Sequence, residues 1–196
     1  MNYFEVFGLQ RRLEIDASEL QRRFYELSRR HNPDFHHGAS PEEQAQALEA
    51  SARLNAAYRT LRDPIARIEY LLRLEEGRET REGAAVKPAA PPELLAEMFE
   101  IQEALAEAKA GVVDEVARQT LRAQRERLLE RSRDEETRLT GPLSRSWDVG
   151  DAAQRREILR ALKAGLATRA YLRTVIGDLR EALDEEQGAH VPNHRH

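Results

Sequence analysis

The stretch Leu54–Leu72, LNAAYRTLRDPIARIEYLL, decides how this chain is read. It carries two helical patterns that meet at Asp63-Pro64. Proline has no amide donor and a fixed φ, so it breaks a helix from inside but suits a helix's first position. Upstream, Leu54, Tyr58 and Leu61 recur at helical spacing, and Ile68, Leu71 and Leu72 do so downstream. The spacing predicts one helix ending near Arg62 and another running from Ile65 to Leu74.

The upstream helix has a clear start. Ser40 is its N-cap, Pro41 takes the first helical position and Glu43 completes a capping box. Leu48, Ala52 and Asn55 lie on a face neighbouring that of Leu54, Tyr58 and Leu61. An earlier helix opens at Asp16, with Glu19 as its capping-box partner. Its Leu20, Phe24 and Leu27 form one stripe predicted to be buried, whereas Arg22, Arg23, Arg29 and Arg30 fall off the stripe and are predicted to face water. Residues 28–37, SRRHNPDFHH, join these two helices, which are expected to pack as an antiparallel pair. The first of them must end near His31 or Asn32, because the residue before Pro33 is pushed out of the α region. Before both, Tyr3-Phe4-Glu5-Val6-Phe7 makes a short apolar turn that stops at Gly8.

Downstream, residues 75–92, EEGRETREGAAVKPAAPP, mix charge, Gly, Ala and Pro without periodicity and read as a linker. Three helical stretches follow: Glu93–Lys109, Val112–Leu139 and Ala152–Glu186. The connection TGPLSRSWDVGD, 140–151, holds the only Trp and reads as a loop. The expected fold is all-α: a first domain over 1–74, a linker over 75–92, a three-helix bundle over 93–187 and a frayed tail over 188–196.

Composition supports that class. The chain is 34% charged and 40% hydrophobic, with a mean hydropathy of -0.71, which suits amphipathic helices with solvated faces. A formal net charge of -4 points to no polyanionic partner. Absence of cysteine excludes disulfides, zinc thiolates and thiol nucleophiles. No window approaches the roughly 20 apolar residues that span a bilayer, and no targeting segment is evident, so a soluble cytoplasmic protein is expected.

The opening NYFEVFGL (2–9), followed by a basic helix, a Pro-Asp loop and the Asp63-Pro64 junction, resembles the HscB family of J-protein co-chaperones, which serve iron–sulfur cluster assembly. Asn55, Tyr58, Leu61, Asp63-Pro64, Arg67 and the run Glu69-Tyr70-Leu71-Leu72 all fall in register with that family. The resemblance implies a J domain that docks on a 70-kDa heat-shock ATPase of the HscA/DnaK type and stimulates ATP hydrolysis. It also implies a C-terminal bundle that binds an IscU-type scaffold. No cofactor, metal, nucleic acid or membrane is implied, and the chain is expected not to be an enzyme.

By position, the resemblance assigns chaperone binding to Arg22, Arg23, Arg29, Arg30, Asn32, Pro33 and Asp34, and scaffold binding to Leu95, Ala96, Phe99, Glu100, Glu103, Glu107 and Tyr171. Asn32 stands where the family's loop has His, so the tripeptide reads Asn-Pro-Asp. Asn keeps hydrogen-bonding capacity but has neither a ring nor a titratable group. Three readings of the loop stand. In one, the J protein works with Asn32 or borrows His31. In another, it is a J-like adaptor that binds its client but stimulates ATPase poorly. In the last, His31, Asp34, His36 and His37 take zinc or nickel, although their spacing does not gather three of them at one point.

Leu95, Phe99, Glu103 and Glu107 are spaced by four, as are Ala96 and Glu100, which places an apolar patch beside carboxylates on one helix. The same pattern also fits ordinary bundle core with a solvated acidic flank. A different class, a helical nucleic-acid binder, is suggested by Arg118, Arg122, Arg125, Arg127, Arg131 and Arg133. Interleaved acids such as Glu126, set four residues after Arg122, favour a solvated bundle helix instead.

Overall fold

A computed structural model describes residues 1–30, 40–77, 92–109 and 115–189, with side chains described except at 93, 96, 98, 107–109 and 184–189. Among them the secondary structure is helical, without a strand. The helices are α1 (Tyr3–Val6), α2 (Ala17–Arg30), α3 (Pro41–Arg62), α4 (Pro64–Glu75), α5 (Leu95–Lys109), α6 (Glu115–Arg138), α7 (Ser144–Val149) and α8 (Ala152–Ala189). They fall into two compact units, one drawn from 1–83 and 140–160, the other from 84–139 and 161–196.

Local chemistry sets the helices of the first unit. Asn2 and Glu5 form a reciprocal capping box on α1, and Gly8 takes the left-handed φ of 61° that turns the chain away from it. Ser40 and Glu43 make the expected box on α3. Asp63 ends α3 and caps α4, its Oδ1 accepting from the amides of Ile65 (2.8 Å) and Ala66 (3.0 Å). At the start of α2, Asp16 accepts from the amides of Ser18 (2.8 Å) and Glu19 (3.2 Å). The Glu19 carboxylate turns instead to Arg22 and Arg23.

Packing follows the predicted stripes with adjustments. Leu20 of α2 is buried while Phe24 and Leu27 are half-buried, Phe24 stacking on Tyr58 of α3 with ring centroids 4.1 Å apart. On α3 the buried stripe is Ala47, Leu54, Ala57 and Leu61, and the Leu48–Ala52–Asn55 face is exposed. Tyr70 of α4 accepts from the Tyr3 amide (2.8 Å) and stacks on the Tyr3 ring (4.4 Å), which fixes α1 against α4.

Two features depart from the sequence reading. The stretch 140–151 is not a plain loop: Leu139–Leu143 forms a π-helical turn and α7 follows it. Pro142 lies inside the π turn, whose wider ring moves the preceding carbonyls away from a residue that has no donor and would clash in an α-helix. The division of the chain is also not one cut at 75–92, since 140–160 belongs with the N-terminal helices. Trp147 is buried there, and the neighbouring Asp148 accepts from the amides of Leu13 and Glu14 at 2.8 Å each. Its position between two bundle helices is what places that segment in the bundle when the sequence is read alone.

In the second unit, Ile101 and Leu105 of α5, Leu121 and Leu128 of α6, and Leu172, Val175, Leu179, Ala182 and Leu183 of α8 form one buried cluster. Gly165 of α8 lies so close to the end of α6 that a Cβ there would collide with the Glu135 side chain and come within 2.8 Å of Leu139.

Candidate functional site

The first candidate surface lies on α2. Arg22, Arg29 and Arg30 are exposed, and among the described residues Arg29 and Arg30 have no ion-pair partner. Arg23 does not face water as the stripe predicts. It is half-buried, with Nε on Glu19 (2.7 Å) and Nη1 donating to the carbonyls of Phe7 (2.6 Å) and Gly8 (3.1 Å). Because a C-terminal turn leaves carbonyls without partners, this guanidinium anchors the end of α1 to α2. Asn32, Pro33 and Asp34 lie outside the described residues, as do His31, His36 and His37.

The second surface lies on α5. At about 100° per residue, Ile101 and Leu105 share one side of α5 and are buried, as is Leu94 just before the helix. Leu95 and Phe99 project from the other side, 39% and 69% exposed, so they are not bundle core. Glu100 and Glu103 are exposed on the same helix, which puts carboxylates beside an uncovered apolar pair. Ala96 and Glu107 belong to α5, but their side chains lie outside the described residues.

Tyr171, on α8, packs against the buried cluster rather than standing exposed like Phe99. Its hydroxyl is buried without a hydrogen-bond partner. Burial pushes its pKa up, the Glu97 carboxylate adds to that, and Arg131 opposes it. Glu97 and Arg131 themselves form an ion pair of 2.8 Å between α5 and α6 that sequence spacing did not reveal, because its partners are 34 residues apart.

Arginines on α6 are drawn to acids. Arg118 and Arg122 approach Glu115 (3.6 and 4.0 Å) and Arg125 approaches Glu126 (3.1 Å), so Arg122 meets Glu115 rather than the Glu126 expected from spacing. Such pairing leaves no uniform cationic stripe for a nucleic-acid backbone. Among the described residues no cluster of three or more His, Asp or Glu is arranged to hold a metal ion. Nor is any helix among them long and apolar enough to cross a membrane.

No family model matches the chain. A co-chaperone protein HscB homolog of Vibrio cholerae is 39% identical over 117 residues, which cover 60% of this chain and 67% of the homolog. The chain belongs to the HscB co-chaperone family. HscB of Proteus mirabilis is 40% identical over 75 residues, covering 38% of this chain and 43% of its own length. Among solved structures, chaperone HscB from Vibrio cholerae superposes with a TM-score of 0.59 at 26% identity, over 94% of this chain and 99% of its own. Human co-chaperone HscB shares the fold, with a TM-score of 0.57 at 24% identity, over 95% of this chain and 82% of its own. The all-α order of an N-terminal J domain and a C-terminal helical domain is therefore the HscB architecture, and a J-protein co-chaperone role comes with it.

Arg67, one of the junction residues that carry the sequence resemblance, is buried. Its Nε donates to the Leu61 carbonyl (2.7 Å) and its Nη1 to the Leu13 carbonyl. Burial lowers its pKa, while Asp148 and Asp63 favour the charged form.

Proposed function

We propose that this chain is a non-enzymatic cytoplasmic co-chaperone whose J domain docks on a heat-shock ATPase of the HscA/DnaK type and stimulates ATP hydrolysis. Its α5 face holds an IscU-type iron–sulfur scaffold for delivery to that chaperone. The observation that carries this reading is the uncovered Leu95–Phe99 pair beside Glu100 and Glu103, on a helix whose opposite side buries Ile101 and Leu105. An exposed aromatic beside carboxylates suits a docking surface in which the ring supplies affinity and the charges supply orientation. Arg22, Arg29 and Arg30, with Asn32, Pro33 and Asp34, form the chaperone-facing surface; Ala96, Glu107 and Tyr171 complete the scaffold-facing one.

Titration of the chain with an IscU-type scaffold tests the bundle. Phe99→Ala is expected to weaken binding at least about tenfold, a loss of about 1.4 kcal/mol, without lowering thermal stability. Wild-type affinity in that variant would refute the assignment.

A second reading is favoured by Asn32. The chain then binds its scaffold but stimulates the ATPase weakly, because an amide replaces the loop imidazole. Single-turnover ATPase assays with wild type and Asn32→His decide between the two. A large rise in the variant supports the adaptor; equal stimulation supports the working J protein.

A further inference from the structure

The first unit is assembled from two chain segments, and one carboxylate grips both. Asp148 of α7 accepts from the Leu13 amide through one oxygen and from the Glu14 amide through the other, each at 2.8 Å. On its other side, the Leu13 carbonyl accepts from Arg67, which is only 6% exposed. Asp148 also supplies the larger part of the negative charge that this buried guanidinium senses, ahead of Asp63. Leu13 is itself buried.

Further contacts hold α7 in place. Arg145 reaches Glu14 at 3.7 Å, while Arg155 lies 5.2 Å from the Trp147 ring centre and donates to the Trp147 carbonyl at 3.1 Å. Two residues beyond Glu14, Asp16 caps α2. The gripped backbone is therefore the immediate approach to the helix that carries Arg22, Arg29 and Arg30.

We propose that Asp148 is a positioning residue for α2: it latches 140–160 onto the approach to that helix, so a residue from the C-terminal half sets the placement of the docking surface. Removing the carboxylate would deprive two backbone amides of their acceptor at once and take one of two nearby negative charges from the buried Arg67. The loss is costlier at Leu13, whose amide is partly shielded from water, than at the exposed Glu14. The buried Phe4, Leu20 and Leu61 lie on helices that Asp148 does not hydrogen-bond, so its effect is expected to be local. The grip is a property of the chain alone; only its consequence for docking rests on the proposed ATPase partner.

The test uses the full-length chain with Asp148→Ala and Asp148→Asn, the latter keeping the shape and one acceptor oxygen. Amide exchange at Leu13 and Glu14 is expected to rise at least about tenfold in Asp148→Ala and less in Asp148→Asn, with Leu172 and Leu179 unchanged. The chain has no cysteine, so spin labels at Gln21→Cys on α2 and Glu69→Cys on α4, both exposed positions, report where α2 sits. Their distance distribution is expected to broaden in Asp148→Ala.

Unchanged exchange at Leu13 and Glu14 would overturn the latch. Opened amides with an unchanged distance distribution would overturn the positioning role. If Asp148→Ala unfolds outright, Asp148→Asn is read by the same two measurements. A wild-type chain that leaves the ATPase at its basal rate would count against chaperone stimulation without touching either result.

Discussion

Replacing Arg23 with methionine separates two roles that one row of arginines would otherwise share. Methionine keeps most of the aliphatic stem but removes the hydrogen bonds to the Phe7 and Gly8 carbonyls and the pairing with Glu19. A hydrogen bond from a charged donor is worth about 1.5–3 kcal/mol. The Arg23 side chain is 34% exposed, so water replaces part of each lost contact, and the Glu19 pair adds little. The expected net loss is about 2 kcal/mol, confined to the first unit.

Urea denaturation followed by Trp147 fluorescence reads this directly, since the chain's only Trp is buried in that unit. At a slope of about 2 kcal/mol/M the midpoint should fall by about 1 M. Arg29→Met and Arg30→Met should leave the stability within about 0.5 kcal/mol of wild type while weakening chaperone binding, because both side chains are exposed. A wild-type midpoint for Arg23→Met would refute the anchoring argument. Equal chaperone affinity for Arg29→Met and Arg30→Met would refute the division of labour.

Asp63→Ala removes the cap of α4 together with a counter-charge of Arg67, and calorimetry should show a loss of about 1 kcal/mol or somewhat more. Gly177→Ala should gain about 0.5–1 kcal/mol, since it is a mid-helix glycine whose added Cβ meets nothing within 4 Å. Gly165→Ala should do the opposite, and a shared sign for the two variants in thermal melts would sink the explanation. Burial raises the pKa of the Tyr70 and Tyr171 hydroxyls, so the folded state favours their neutral forms. That stabilisation is complete below the unfolded value near pH 10 and is lost as pH climbs through the raised folded values. Urea midpoints measured up the alkaline range should therefore decline, and less steeply in Tyr171→Phe.

Sequence spacing revealed what is local. The cap formed by Ser40 and Glu43 and the hinge at Asp63-Pro64 involve partners within a few residues, and each follows from the side-chain chemistry of those positions. Exposure of Leu95 and Phe99 was not legible, because periodicity says that two residues share a face but not whether another helix covers it. Arg23 was misplaced for a related reason: its position on the helical wheel was right, yet the end of α1 comes up against that side and offers carbonyls. Glu97 with Arg131, and Asp148 with Leu13, escaped notice because only the tertiary fold brings residues 34 and 135 apart into contact.

That last separation has a consequence for how the molecule is made. Leu13 leaves the ribosome 135 residues ahead of its partner Asp148. At about 5–20 residues per second, the helices that follow Leu13 wait roughly 7–30 s for the segment that completes their unit. During synthesis they must hold together through nearby contacts such as Phe24 on Tyr58 and Tyr3 on Tyr70, while Arg67 retains only Asp63 as a counter-charge among the carboxylates it later senses. Closing so long a loop is entropically slow. The J domain of this co-chaperone is thus translated ahead of the segment that completes it and is finished only when Asp148 has emerged.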